Sequence, residues 1–157
     1  MEKTGIGLDK KTTEQVSVLL QKILSDEYIL YTKTRNFHWN VKGPQFYGRH
    51  KLFENLYEEL NESIDEIAER IRMIGEYPKA SLKEFLEIGT IKEANTILKS
   101  NDMTKELCAD HATLIREIRE SIEKISELKD NGTEDFLVAL MQKHEKTHWI
   151  LLSLTEE

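Results

Sequence analysis

A chain of 157 residues, 32% charged and 39% hydrophobic with only 7 Gly and 2 Pro, suits one domain of long amphipathic helices rather than a turn-rich β protein. No apolar run is long enough to cross a bilayer, Met1-Glu2-Lys3-Thr4 does not open a signal peptide, and a lone Cys108 excludes an intrachain disulfide framework, which together fit a reduced cytoplasmic setting. The formal charge of −7 argues against a simple basic nucleic-acid binder and suits contact with cations.

After a short tail over residues 1–8, the first predicted helix begins near Asp9 or Thr12 and runs to about Trp39. Val16, Leu20, Ile23, Leu24, Tyr28 and Tyr31 recur along it at helical spacing. Gly43-Pro44 breaks the pattern. The second helix spans about Gln45 to Ile74, with a stripe of Phe53, Leu56, Leu60, Ile64, Ile67, Ile71 and Ile74, and Gly75 with Pro78 stops it. Residues 76–100 form a connection carrying a short helix, Ser81 to Ile88, with Gly89 behind it. Asn101 or Asp102 is the expected cap of a third long helix reaching Lys129, its seam made of Leu107, His111, Leu114, Ile118, Ile122 and Ile125. Asn131-Gly132 is expected to end it, and Thr133 to start a fourth helix through Leu154. There are no repeats and no flexible linker, so the expected architecture is a single all-α domain, an antiparallel four-helix bundle. The connection between helices two and three is long enough to cross the bundle.

His38, His50, Asp65 and Glu69 are candidate metal ligands, with Glu54 a fifth. Imidazole and carboxylate together suit ferrous iron, and open coordination positions would admit an oxidant. At about 100° per residue, His50, Glu54, Asp65 and Glu69 share one stripe beside the apolar face of the second helix. At about 1.5 Å rise per residue, however, His50 and Asp65 lie roughly 22 Å apart, too far to bind one ion within one chain. A two-fold pair of chains, its second helices crossing antiparallel near residues 57 to 60, would bring His50 of one copy to Asp65 and Glu69 of the other and create two equivalent sites. His38 approaches from its own chain across the Gly-Pro loop. The plainer reading stands beside this one: carboxylates on an exposed helix face are ordinarily solvated or paired, here with Lys51 or Arg72. A histidine on the face of Tyr31 and Leu24 is ordinarily structural.

The run from Tyr31 to Phe46, containing Asn36-Phe37-His38-Trp39-Asn40-Val41 and Gly43-Pro44-Gln45-Phe46, closely resembles the signature of the Dps family of mini-ferritins. His50, Leu52, Phe53 and Tyr57 continue it, and Asp65-Glu66-Ile67-Ala68-Glu69-Arg70-Ile71-Arg72 with Gly75 resembles the family's second block. The resemblance covers essentially the whole chain. It implies a ferritin-like bundle assembled through two-fold dimers into a hollow dodecamer. The site it implies is a ferroxidase centre with His38 and His50 from one subunit and Asp65 and Glu69 from its neighbour. Ferrous iron would be oxidised there, preferentially by hydrogen peroxide, and stored as ferric mineral, protecting against oxidative stress. Glu54 stands where the family commonly has an acidic residue, often the shorter Asp. Trp39 is implied to sit beside the site and intercept radicals; its plainer role is interface packing.

Three further features bear on function. His144-Glu145-Lys146-Thr147-His148 matches the H-E-x-x-H zinc-protease pattern, but the few residues after His148 leave no room for the usual third ligand, and a bundle has no evident substrate cleft. His144 and His148 are therefore expected as a hydrogen-bonded pair facing the bundle or a secondary metal site, and His111 as structural. Asp130, Glu134 and Asp135 are candidates for a negative pore at a three-fold axis; the plainer role of Glu134 and Asp135 is to favour the helix dipole. Compaction of DNA is the alternative function. Against it stand a tail whose Lys3 is balanced by Glu2, a Glu156-Glu157 end, and a formal charge of roughly −84 for a dodecamer.

Overall fold

The computed structural model describes residues 4–94 and 96–155; Met1, Glu2 and Lys3 of the expected tail, and the acidic Glu156 and Glu157, lie outside the described residues. Among the described residues there are five helices and no strand: α1 (Lys10–Asn40), α2 (Phe46–Met73), α3 (Leu82–Ile88), α4 (Ser100–Glu127) and α5 (Asn131–Ser153). α1 packs along α2, α4 packs along α5, and α1 also meets α4 and the short α3, which closes the expected bundle. None of the helices is long and apolar enough to cross a membrane.

Asp9 caps α1 by accepting from the Thr12 amide at 2.8 Å. The seam residues Val16, Leu20, Ile23 and Leu24, joined by Leu30, then enter one core with Phe53, Ile67 and Ile71 of α2 and Leu107, Leu114, Ile118 and Leu137 from α4 and α5, while Tyr28 and Tyr31 are only partly buried against it. Each such side chain, removed from water, stabilises the fold by about 1.5–3 kcal/mol. Gly43 turns the chain between α1 and α2 at φ 113°, a conformation that a β-carbon disfavours. α3 opens with the full capping box of Ser81 and Glu84. Behind it Gly89 runs so close to α1 that a β-carbon there would lie 2.5 Å from Ile29 Cδ1. Asp26, wholly buried on α1, accepts from the amides of Thr90 and Ile91 and pins this crossing connection to the bundle.

Two helix ends differ from the sequence expectation. α4 starts at Ser100 behind Lys99, with no side-chain cap, whereas Asn101 or Asp102 was the expected cap; Asp102 lies instead in the first turn, where its charge favours the dipole. Asn131-Gly132 does not end α4. The chain turns earlier, at Lys129 with φ 60°, and Asp130 caps α5 by accepting from the Thr133 amide at 3.0 Å. Aspartate outranks threonine as a cap, so α5 begins before Thr133.

Candidate metal centre

His38 lies in the last turns of α1 and His50 in the first turns of α2, brought together by the tight Gly43-Pro44 connection. Their rings stack with centroids 3.8 Å apart and planes 19° apart. Each ring bonds the other residue's backbone: His38 Nδ1 to the His50 carbonyl at 2.8 Å, and His50 Nδ1 to the His38 carbonyl at 2.8 Å. A carbonyl only accepts, so both Nδ1 atoms donate, and neither Nε2 atom is used in these bonds. That reciprocal lock fixes the orientation of the two candidate imidazoles within one chain.

The surroundings are aromatic and cationic on one side and acidic on the other. Tyr57 meets the His38 ring edge-on with centroids 5.3 Å apart, and Phe46 lies 5.0 Å from His50. The Arg35 guanidinium donates to Tyr31 Oη at 2.7 Å and lies over Tyr57 at 4.9 Å and Trp39 at 5.1 Å. Trp39 itself is 66% exposed, with the Arg35 guanidinium over its ring. Glu54 accepts from Lys51 at 2.6 Å, and that bond, with the two histidines close by, holds its carboxyl below the ordinary range. Tyr57, Arg35 and Phe46 had no assigned role in the sequence reading. Their signal was present as helical spacing: Tyr31 and Arg35 are four apart, and Tyr57 follows His50 by two turns.

Asp65 and Glu69 lie exposed on α2, and neither has a hydrogen-bond or ion-pair partner among the described residues. The plainer expectation of pairing holds for Lys51, which pairs with Glu54, but not for Arg72, which donates to the Glu76 carbonyl and stacks on Tyr77. Among the described residues no three His, Cys, Asp or Glu side chains of one chain gather as a metal site, in keeping with the span of about fifteen residues of straight helix between His50 and Asp65.

The pore candidates separate. Asp130 is 3% exposed and engaged on its own chain: it caps α5, bonds Thr133 Oγ1 and pairs with Arg70 at 3.1 Å. Its carboxylate is thus turned inward, while Asp135 is exposed and Glu134 half-buried in the first turn of α5. The H-E-x-x-H pattern also separates. His144 points into the core, where its Nε2 meets Glu27 Oε1 at 2.5 Å and its Nδ1 meets His111 Nδ1 at 2.9 Å. His148 bonds the Cys108 carbonyl at 3.0 Å, and Glu145 pairs with Arg119 on the surface. The expected histidine pair is therefore His111 with His144, not His144 with His148. Glu27, wholly buried, was not anticipated; a carboxylate on an otherwise apolar face was its only mark in the sequence.

A family model described as a ferritin-like domain matches residues 18–157. The DNA protection during starvation protein 2 of Bacillus anthracis is 41% identical over 138 residues, covering 88% of this chain and 94% of that protein. The crystal structure of a Dps protein from Bacillus brevis is similar at a TM-score of 0.91 and 36% identity, over 95% of this chain and 100% of that one. The Dps protein of Vibrio cholerae O1, described as one of a broad superfamily of ferritin-like diiron-carboxylate proteins, reaches a TM-score of 0.95 at 29% identity, over 99% of this chain and 98% of that one.

Proposed function

This chain belongs to the Dps family of ferritin-like proteins, and on that premise we propose that it is a ferroxidase and iron store whose oxidation sites are completed between two subunits. The observation that carries this reading is the locked pair of His38 on α1 and His50 on α2, each bonded through Nδ1 alone, with two unpaired carboxylates farther along α2 that are too distant to reach them. Pairing two copies antiparallel along α2 brings Asp65 and Glu69 of one subunit to His38 and His50 of the other. Half of each ligand set is neutral nitrogen and half is anionic oxygen, a donor mixture suited to ferrous iron. Glu54, beside both histidines and held by Lys51, is the fifth ligand, available for a second iron.

Iron is the substrate here. Two ferrous ions give up one electron each, and hydrogen peroxide takes both electrons with two protons to become two waters. The chain's part is to hold the ions side by side and to keep peroxide from being reduced one electron at a time. Trp39, adjacent to His38 and touching Arg35, is placed to give an electron to any radical that escapes. The family's cage, a dodecamer of two-fold dimers, would hold the ferric product inside, and Glu134 with Asp135 would line the negative entry.

DNA compaction is the weaker reading, because a shell with this chain's charge of −7 on every subunit repels phosphate. The deciding experiment follows ferrous oxidation by absorbance under peroxide and under oxygen, beside a light-scattering mass. Fast oxidation by a dodecamer, faster with peroxide, is the expected result. Oxidation no faster than in buffer overturns the proposal. A gel shift at low salt without divalent cations is expected to leave DNA unretarded.

A further inference from the structure

The geometry points to a second metal site, for a zinc-class divalent cation, formed by Cys108 and His111 of α4 with His144 and His148 of α5. It uses none of the residues assigned to iron oxidation. The two helices are antiparallel and set these donors in two rungs. In the first, His111 Nδ1 and His144 Nδ1 are 2.9 Å apart; in the second, Cys108 Sγ and His148 Nδ1 are 3.4 Å apart. Spacings of Cys-x-x-His on one helix and His-x-x-x-His on the other place each pair on one face, with about 5–6 Å between β-carbons. One thiol and three imidazoles at the corners of such a quadrilateral are the number and kind of donors that zinc takes in closed tetrahedral sites.

Glu27 supplies the outer support. Its Oε1 meets His144 Nε2 at 2.5 Å, so the carboxylate holds the His144 proton on Nε2 and leaves Nδ1 as a lone pair facing His111. This carboxylate–histidine arrangement is the usual backing of a metal-bound imidazole. The network is not complete as hydrogen bonding alone: His111 Nε2 and Glu27 Oε2 are buried without partners.

As the side chains stand, no three of these donors converge on one point. Loading therefore closes the second rung onto the first. His148, half-buried, gives up its bond to the Cys108 carbonyl, the Cys108 thiol loses its proton, and His111 and His148 each move their Nδ1 proton to Nε2. One proton is released for each ion bound.

Cobalt(II) tests this in the intact protein, because Cys108 is the chain's one cysteine and the centre at His38 has no sulfur. Titration should produce a thiolate-to-cobalt charge-transfer band together with intense tetrahedral bands, saturating at about one ion per chain and displaced by zinc. The band should vanish in Cys108→Ser, weaken at least about tenfold in affinity in His148→Gln, and persist in a His38→Ala/His50→Ala protein. His148→Gln, altering a half-buried side chain, covers the case in which Cys108→Ser fails to fold. No charge-transfer band under excess cobalt, or a band that survives Cys108→Ser, overturns the site.

Discussion

Two histidine pairs join different helices of this molecule, and the same side chain is prepared in opposite ways. His38 and His50 join α1 to α2 through bonds to each other's backbone carbonyls, which use only Nδ1 and leave both Nε2 atoms for an outside partner. His111 and His144 join α4 to α5 through a direct ring-to-ring bond, closed at one end by the buried Glu27. The first pair has one neighbouring carboxylate, Glu54, which is engaged by Lys51; the second is enclosed and has Glu27 bonded directly to it. An open pair with two unpaired carboxylates far along the same helix asks for a second subunit, whereas an enclosed pair with a neighbouring thiol can be completed within one chain.

The sharpest way to break this contrast is kinetic. His38→Ala with His50→Ala should slow ferrous oxidation at least about a hundredfold in stopped-flow absorbance, since outer-shell changes alone cost 10–100-fold, while the assembly's mass is unchanged. Loss of the cage would mean the pair is structural. The enclosed pair should respond in stability instead. Glu27→Ala, which strands a buried imidazole, should lower unfolding free energy by about 3 kcal/mol in thermal or denaturant melts and leave the oxidation rate unaltered. A changed rate would tie the two pairs together and weaken the contrast.

Smaller effects probe the polar groups around each pair. Burial lifts the Glu117 carboxyl of α4 to about 7; Lys22, 2.7 Å away, works against this and Asp26 works with it. Between the ordinary carboxylate range and about pH 7 the folded chain keeps a proton that the unfolded chain has lost, so stability present at low pH is lost as pH rises through this window. Glu117→Gln should flatten that decline and gain about 1 kcal/mol near pH 8, solvent screening at the partly exposed carboxyl included. A melt series showing the same slope in both proteins would contradict the assignment. On the open side, Lys51→Ala releases Glu54 and should change the oxidation rate by less than about threefold, as befits an exposed ion pair.

The bundle was legible because its seams repeat: Leu20, Ile23 and Leu24 in α1, Ile67, Ile71 and Ile74 in α2, and Leu107, Leu114 and Ile118 in α4 are all buried as periodicity required. His38 and His50 were legible as candidates because they flank a Gly-Pro turn, but their reciprocal backbone bonds depend on how tightly α1 and α2 approach, which spacing does not encode. Asp130 illustrates what stayed hidden. A carboxylate between two helices reads equally as a pore residue or a cap, and only its distances to Thr133 and Arg70 show that it is engaged inside the chain. Glu27 was hidden for a related reason: its partner His144 is remote in sequence and meets it only once the helices pack.

A mixing experiment tests the shared site most directly. A His38→Ala/His50→Ala protein and an Asp65→Ala/Glu69→Ala protein, each inactive alone, are unfolded, combined in equal amounts and refolded together. In each mixed pair, intact histidines face intact carboxylates at one of the two positions, so random pairing should restore about a quarter of the original oxidation rate. A mixture as inactive as its parents, with mixed assemblies demonstrated by mass, would contradict sharing between subunits and require every ligand to come from a single chain.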